Sequence, residues 1–525
     1  MSRSACLAFA LAASVVLAAC GTVSFSVRSE APDASVLRIA IGVDVDTLDP
    51  KRQTTTTVFN IVQMMVESLV WLDQNGRLQP RLATSWQEAP DATSWLFTLR
   101  DGVRFSDGAR LDAAAVQLSL DRTLDPSGGC PMCGPLSAAV RSVDVVDSSH
   151  VRLSMKQPLA SDVVLGLLSE PTFGIMSPLA LERAAPAFSP EEHPVGTGPY
   201  ILEERVRGDH LTLLRNRTYW GERPTYNRQV LEIVPDAARR EAMVRSGEAQ
   251  VSLLPPISDL PSLLDDENVK VSLARGDRSV FFAIDTVDER QSPLRNAEVR
   301  RALNHAVNRD AIVRSTLFGA ADPATSAMAP SVFGYCAQPP YDYDPELARS
   351  MLAKANVSGL TIKLIAPTGR YIQDFQAAQN VAGALRAVGV DVQGPETMDW
   401  PTYVRTILVP PARASVDAHM LGFAPAVLDG SQAMMMFDPG QMPPVGLATS
   451  YYDNPTVTAL LTKAQLEVDR DVRAQEYCEV QRRVWDDAPW IFLWFEKFPI
   501  VHSSRVTGVE SIPNESFYTV YARPV

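Results

Sequence analysis

The sequence predicts an α/β protein with more than one domain, and three observations carry that expectation. Helical and strand-like patterns alternate along the chain. A helix from Gln373 to Val388 closes on Gly389 and passes straight into Val390-Asp391-Val392, the helix-to-strand step of an α/β lobe. The 525 residues are too many for one hydrophobic core, so two or three domains are expected. A hydrophobic fraction of 46% can fill those cores, while 39 prolines favour many fixed loops over very long helices.

Taken in order, the chain opens with a charged Met1-Ser2-Arg3, an apolar run from Ala5 to Ala19 and the small-residue stretch Leu17-Ala18-Ala19-Cys20-Gly21. This is the layout of a signal peptide over residues 1–19. The apolar run is shorter than the roughly 20 residues of a spanning helix. Leu17-Ala18-Ala19-Cys20 resembles the bacterial lipobox, which implies a diacylated Cys20 and a protein held at the cell membrane from outside. Two acyl chains anchor stably where one is marginal. The alternative is an ordinary signal peptide in which Cys20 is incidental. Residues 20–35, rich in Ser, Ala and small polar groups, read as a lipidated tether. No later apolar run reaches spanning length, so the body is expected to be soluble.

Leu37 to Val43 reads as a strand, broken by Asp46-Thr47-Leu48-Asp49-Pro50. Val58 to Leu72 carries apolar residues at 58, 61, 62, 65, 66 and 69, the spacing of a buried helix face. Trp95 to Leu99 and Gly102 to Phe105 look like strands beside Asp-Gly turns, and Asp112 is placed to cap a following helix. Val299, Ala302, Leu303, Ala306 and Val307 form the clearest amphipathic stripe. Asp344-Pro345-Glu346 supplies a cap, a first-turn proline and an acid for the positive helix end. Asn454-Pro455 opens a helical region to about Asp487, and Trp490 to Phe495 reads as a buried strand.

The residue inventory argues against several functions. With 48 Lys+Arg and 61 Asp+Glu the net charge is −13, which disfavours nucleic acid or an anionic membrane surface as main partner. The six histidines are scattered and form no H-E-x-x-H pair, and no nucleophile elbow or phosphate loop occurs. Gly196-Thr197-Gly198 lacks the third glycine of a dinucleotide fingerprint. No cofactor or metal site is expected, nor an enzyme. Apart from Cys6 and Cys20, the cysteines are Cys130, Cys133, Cys336 and Cys478. Their number allows three pairings outside the cytoplasm. The favoured one joins Cys130 to Cys133 and Cys336 to Cys478. The C-x-x-C spacing of the first pair is shared with thiol–disulfide oxidoreductases, but Gly128-Gly129 and Gly134-Pro135 place both cysteines in a loop.

Several blocks, read together, resemble the extracytoplasmic solute-binding proteins of the peptide and nickel importer family. They are Gly76 to Trp86, Leu99 to Gly108 continuing through Ala113 to Leu120, Pro194 to Tyr200, Arg215 to Trp220, Val299 to Val307, and Tyr343 to Glu346. The resemblance spans about residues 36 to 510. It implies a two-lobed periplasmic-binding-protein fold with two crossing hinge segments. Lobe I would hold 35–285 with an extra subdomain near 78–189, lobe II 286–487, and 488–525 would return to lobe I. The glycines and aromatics of these blocks would be structural: Gly102 and Gly108 in turns, Tyr219-Trp220 in a core.

Ligand contacts in the family follow an acid-Trp segment and surround a Gly-Trp segment. Asp399-Trp400 resembles the first and Gly422-Phe423 the second, so Trp400 and Phe423 are the expected cleft walls. Where peptide-binding relatives carry an acid for the ligand amine, this chain has Ala426, and where some carry an arginine it has Met420. Asp429 is the candidate replacement acid, because an ammonium taken into a cleft without a counter-charge costs several kcal/mol. Met434 and His419 are further candidates, although a methionine run is more often core. The resemblance thus implies a monomeric lipoprotein that captures oligopeptides and delivers them to an ABC importer permease. The same fold loaded with haem or a nickel-type metal chelate is the alternative. A C-x-x-C oxidoreductase is the alternative of another class.

Overall fold

The structure, a computed structural model, describes residues 35–525 except 46, 53–55, 126–129, 131–132, 184–192, 287–291, 399 and 426. The expected signal peptide, Cys20 and the tether up to residue 34 lie outside the described residues, as do Asp399 and Ala426. No described helix is long and apolar enough to cross a membrane.

Two long strands organise the fold, Val269–Ile284 and Trp490–Ser503. They pair antiparallel, with Val269 opposite Ser503 at one end and Ala283 opposite Trp490 at the other. The register shifts between Arg275 and Ser279. On one side of that break the sheet continues through Val251–Leu253, Val36–Ile41, Arg228–Ile233, His210–Arg215 and Tyr200–Val206. On the other it continues through Ala418–Phe423, Thr361–Pro367 and Asp391–Met398.

The cores divide at the same place. Val280, Phe282 and Ile284 pack with the stripe Val299, Ala302, Leu303 and Ala306, while Phe281 and Ala283 pack on the opposite face with Trp490 and Phe492. Val269 and Val501 belong to a core with Ala40 and Met243, and Ile500 to one with Leu37 and Ile39. Core membership therefore changes near Gly276–Arg278 and Glu496–Pro499, earlier than the expected 285 and later than the expected 488. Apart from the cores on the two sides of the break, a third core fills a four-stranded antiparallel sheet, in the order Ala83–Glu88, Ser94–Leu99, His150–Met155, Val140–Asp147, covered by the helix Ala113–Leu124.

Local signals explain many of these elements. Asp112 accepts from the Ala115 N–H at 2.9 Å and Asp344 from the Leu347 N–H at 2.8 Å, satisfying orphan donors at helix starts. The helix Asp374–Ala387 ends before Gly389, whose φ of +94° is cheap only for glycine, and the next strand pairs in parallel with Thr361–Pro367. The late helical region is two helices, Pro455–Leu466 and Arg470–Asp487, capped by Asn454 and Asp469.

Two expectations fail for tertiary reasons. The helix expected across Val58 to Leu72 stops at Val62, and Val70–Leu72 is a strand. Met64, Met65 and Val66 are buried as their spacing suggests. Their backbone serves another partner: the Met64 and Met65 carbonyls accept from the Tyr200 and Gly198 N–H groups, each at 3.0 Å. A Cβ on Gly196 would lie 2.3 Å from the Met65 carbonyl oxygen, so this glycine motif is a close-packing device. Gly102 to Phe105 is likewise a turn, with only an Arg104–Arg110 bridge, because Gly102 and Gly108 both take positive φ. Tyr219 and Trp220 both donate to the buried Glu67 carboxylate, at 2.9 and 2.7 Å, consistent with a structural role.

Candidate functional site

A cleft of about 400 Å³ opens at the register break of the two long strands. Its size lies at the small end of the roughly 300–1,000 Å³ of small-molecule sites. Phe59, Glu170 and the Asn514-Glu515-Ser516 turn line it from one side, and Arg370, Tyr371, Trp400 and Leu421 to Pro425 from the other. Asp277 and Arg278 enter from the crossing itself. They reach it because Gly276 lets the strand press against its partner: a Cβ there would lie 2.5 Å from the Glu496 carbonyl oxygen.

The apolar wall is built around Trp400, which begins the helix Trp400–Ile407. Its ring stacks on Tyr403 at 5.8 Å and meets Tyr371 edge-on at 6.2 Å. The Tyr403 hydroxyl donates to the Met420 carbonyl at 2.6 Å, which ties this helix to the sheet. Gly422 makes room for Tyr371, whose ring atom would lie 2.6 Å from a Cβ at that position. Phe423, half-buried, follows on the same strand and lines the cleft. The Arg370 guanidinium sits over Tyr371 at 5.1 Å and Trp400 at 5.2 Å, an exposed cation on an aromatic wall.

The opposite wall is acidic. Arg278 pairs with Glu515 at 2.7 Å and Glu496 at 3.3 Å. Burial by itself would lower its guanidinium, but Glu515, Glu496 and Asp277 outweigh that and hold it above its ordinary value. Burial pushes Glu496 up to about 7 and Glu170 up to about 8. Asp277 is also held well above the usual carboxylate range, by burial first and then by Glu515. One Asp277 oxygen is buried without a hydrogen-bond partner. No described group of three His, Cys, Asp or Glu side chains is placed to hold a metal ion.

Of the residues singled out from the sequence, Trp400 and Phe423 are brought together in this cleft. The others stand elsewhere. Asp429 is 1% exposed, caps the short helix Gly430–Ala433 through the Ser431 N–H, and is ion-paired with the equally buried Arg473. That carboxylate already has its counter-charge, so it does not wait for a ligand amine. Met434 is fully buried in a core with Phe437. His419 is buried mid-strand, its Nε2 2.7 Å from the Thr449 hydroxyl, and burial lowers it to about 3, so it is neutral and faces no ligand space. No motif in the sequence points to Asp277, Arg278, Glu170 or Arg370. The available signal was Gly276-Asp277-Arg278, a glycine and two charges interrupting a strand.

Disulfides join Cys130 to Cys133 and Cys336 to Cys478. Both cysteines lie outside regular secondary structure, Cys133 directly before the short helix Gly134–Ala139 and 2% exposed within the third core. A second cavity, of about 560 Å³, is bordered by Asp162, Phe333 and Arg470. There Arg470 is paired with Asp162 at 2.9 Å and lies 4.3 Å over the Phe333 ring, so its charges already satisfy one another.

The family model described as bacterial extracellular solute-binding proteins, family 5 Middle, matches residues 77–442. Among curated relatives, the glutathione-binding protein GsiB of Salmonella typhimurium is 28% identical over 504 residues, covering 95% of this chain and 97% of GsiB. HbpA2 from Haemophilus parasuis matches with a TM-score of 0.84 at 22% identity, covering 93% of this chain and 100% of HbpA2. NikA from Brucella suis, solved in complex with Fe(III)-EDTA, matches with a TM-score of 0.81 at 23% identity, covering 93% and 100%. At these identities the two structures speak for the two-lobed α/β fold alone.

Removing one member of the Asp429–Arg473 pair leaves the other charge buried and alone. Arg473→Met is expected to lower unfolding free energy by about 3–5 kcal/mol in urea denaturation. Asp429→Ala should likewise destabilise the protein, while changing affinity for free-amine and amine-blocked ligands equally. Selective loss of free-amine ligands in Asp429→Ala would instead return that carboxylate to the site.

Proposed function

The chain belongs to the family 5 bacterial extracellular solute-binding proteins, and we propose that within this family it captures short peptides, glutathione among them, for an ABC importer. The observation that carries the reading is the cleft itself. It sets aromatic walls from Trp400 and Phe423 between an exposed cation, Arg370, and an acidic face, Glu170 and Asp277. A short peptide carries complementary parts: apolar side chains, a carboxylate and an ammonium. The small volume favours a peptide of few residues over a long one. The relative GsiB, a glutathione-binding protein matched over nearly its whole length, supports the same solute class.

Capture is binding without transformation. The solute bridges two cores that share only the paired strands Val269–Ile284 and Trp490–Ser503 as crossings, so contacts to both favour the closed arrangement. Contacts beyond the paired strands also join the two sides. Val427, from the segment after the strand Ala418–Phe423, packs into the third core, where its methyl carbon would lie 2.3 Å from a Cβ on Gly166. The Arg470–Asp162 pair joins the same two regions. Anchoring through a lipid on Cys20 would keep such a receptor near its importer and raise its effective concentration there.

Titration calorimetry with glutathione and with peptides of two to six residues is expected to show binding that is strongest for two or three residues. Absence of binding to all of them, together with a Soret shift on adding haem or with uptake of a metal chelate, would overturn the peptide reading. Cys20→Ala is expected to move the protein from the membrane to the soluble fraction with its ligand binding intact. A Cys20→Ala protein that stays membrane-bound would remove the lipid anchor.

A further inference from the structure

The cleft holds more carboxyl groups than its own cations can neutralise. Glu170, Asp277, Glu515 and Glu496 face or flank it, against Arg278 and Arg370. Arg278 is committed to Glu515 and Glu496, which it contacts at 2.7 and 3.3 Å. Arg370 lies over the Tyr371 and Trp400 rings. Glu170 and Asp277 therefore lack a cation of their own among the described residues. Asp277 is 2% exposed, lines the cleft, and has one oxygen that accepts no hydrogen bond. Glu170 is close enough to add to the cost of ionising Asp277.

A buried, unpartnered carboxylate costs free energy that a fold does not carry without a use. We infer that Glu170 and Asp277 form the seat of a ligand ammonium group, at the point where the strand crossing meets the Glu170-Pro171 turn. The inference deepens the peptide reading and rests on it for the identity of the ligand. A metal ion is the less suitable occupant, because no described set of three ligating side chains surrounds the site. An alkylammonium needs only two or three acceptors, and its N–H groups supply the donors that the Asp277 oxygen lacks.

Binding should be coupled to a proton. Burial holds the Glu170 carboxyl up at about 8, so at neutral pH it is largely protonated without ligand. An ammonium beside it favours the ionised form, so the proton leaves as the ligand enters. Affinity should then rise from pH 6 to pH 7.5, while the ligand amine is still charged.

The experiment is titration calorimetry on the full chain, on Asp277→Asn and on Glu170→Gln. The probes are trialanine and glutathione, each with a free and an acetylated amine, and cadaverine as a cation that is not a peptide. Acetylation is expected to weaken binding to the unaltered protein about 30-fold or more, the usual effect of truncating one partner of a buried charge pair. Either substitution should shrink that difference severalfold, and heats measured in phosphate and Tris at pH 7 should differ by proton release. Thermal melts of ligand-free Asp277→Asn should match or exceed the unaltered protein, since a neutral amide replaces a carboxyl whose ionised form burial and Glu515 already disfavour, so lost discrimination is not misfolding. Acetylated and free peptides binding alike, or discrimination unchanged in both variants, overturns the inference. Cadaverine bound in an Asp277-dependent way without any peptide bound would sink the peptide reading and keep the subsite. No amine probe bound at all, with haem or a chelate bound instead, would sink both.

Discussion

Everything in this protein hangs on the pairing of two long strands that do not stay in register. Val269–Ile284 and Trp490–Ser503 are hydrogen-bonded on both sides of a break at Gly276–Arg278, and each side supports different cores. A bulge in an antiparallel pair bends the strand and turns side chains away from their alternating faces. Here it turns Asp277 and Arg278 toward the space between the cores. Gly276 makes the bend possible, because its partner's carbonyl occupies the volume of a side chain. Fold and site are thus one feature: the strands that connect the lobes also supply the charges at the centre of the cleft.

Two buried acids illustrate how partners decide a role. Asp429 is locked to Arg473 and to a helix N-terminus, and its charge serves the packing of one core. Asp277 sits beside an arginine whose donors are directed to Glu515 and Glu496. Sequence chemistry alone treats the two aspartates alike. Each keeps one buried oxygen without a hydrogen bond, but Asp429 has a direct counter-charge inside a core, whereas Asp277 opens on the cleft, where such an oxygen marks a place for something from outside. The aromatic wall differs again: Trp400 is held by Tyr403 and Tyr371, and Gly422 exists there to admit a ring. A rigid wall of this kind limits the entropy lost when a solute is gripped.

Much of the architecture was legible because it rests on local physics. Gly389 ends a helix that leads into a parallel strand, Asp112 and Asp344 cap helices, and the Val299 stripe is buried. Trp400 and Phe423 were legible through resemblance to short family segments. What failed to show depends on contacts distant in sequence. Met64 to Val66 have helical spacing, but the Met64 and Met65 carbonyls are taken by a segment more than a hundred residues on. Asp429 is drawn into a core by Arg473, and His419 is buried beside Thr449. Nothing near these residues in the chain announces those partners. Asp277 and Arg278 were hidden differently, since charges next to a glycine read as a strand end and only the second long strand turns them into the middle of one.

Solute is expected to be held where the strand crossing carries Asp277, against the wall of Trp400 and Phe423. The most direct measurement is a crystal structure of the protein with glutathione or a bound tripeptide. The predicted result is density for the ligand in that cleft, its ammonium nitrogen about 2.7–3.2 Å from a carboxylate oxygen of Asp277 or Glu170. Ligand density beside Arg470 and Phe333, with Asp277 still lacking a partner, would contradict it.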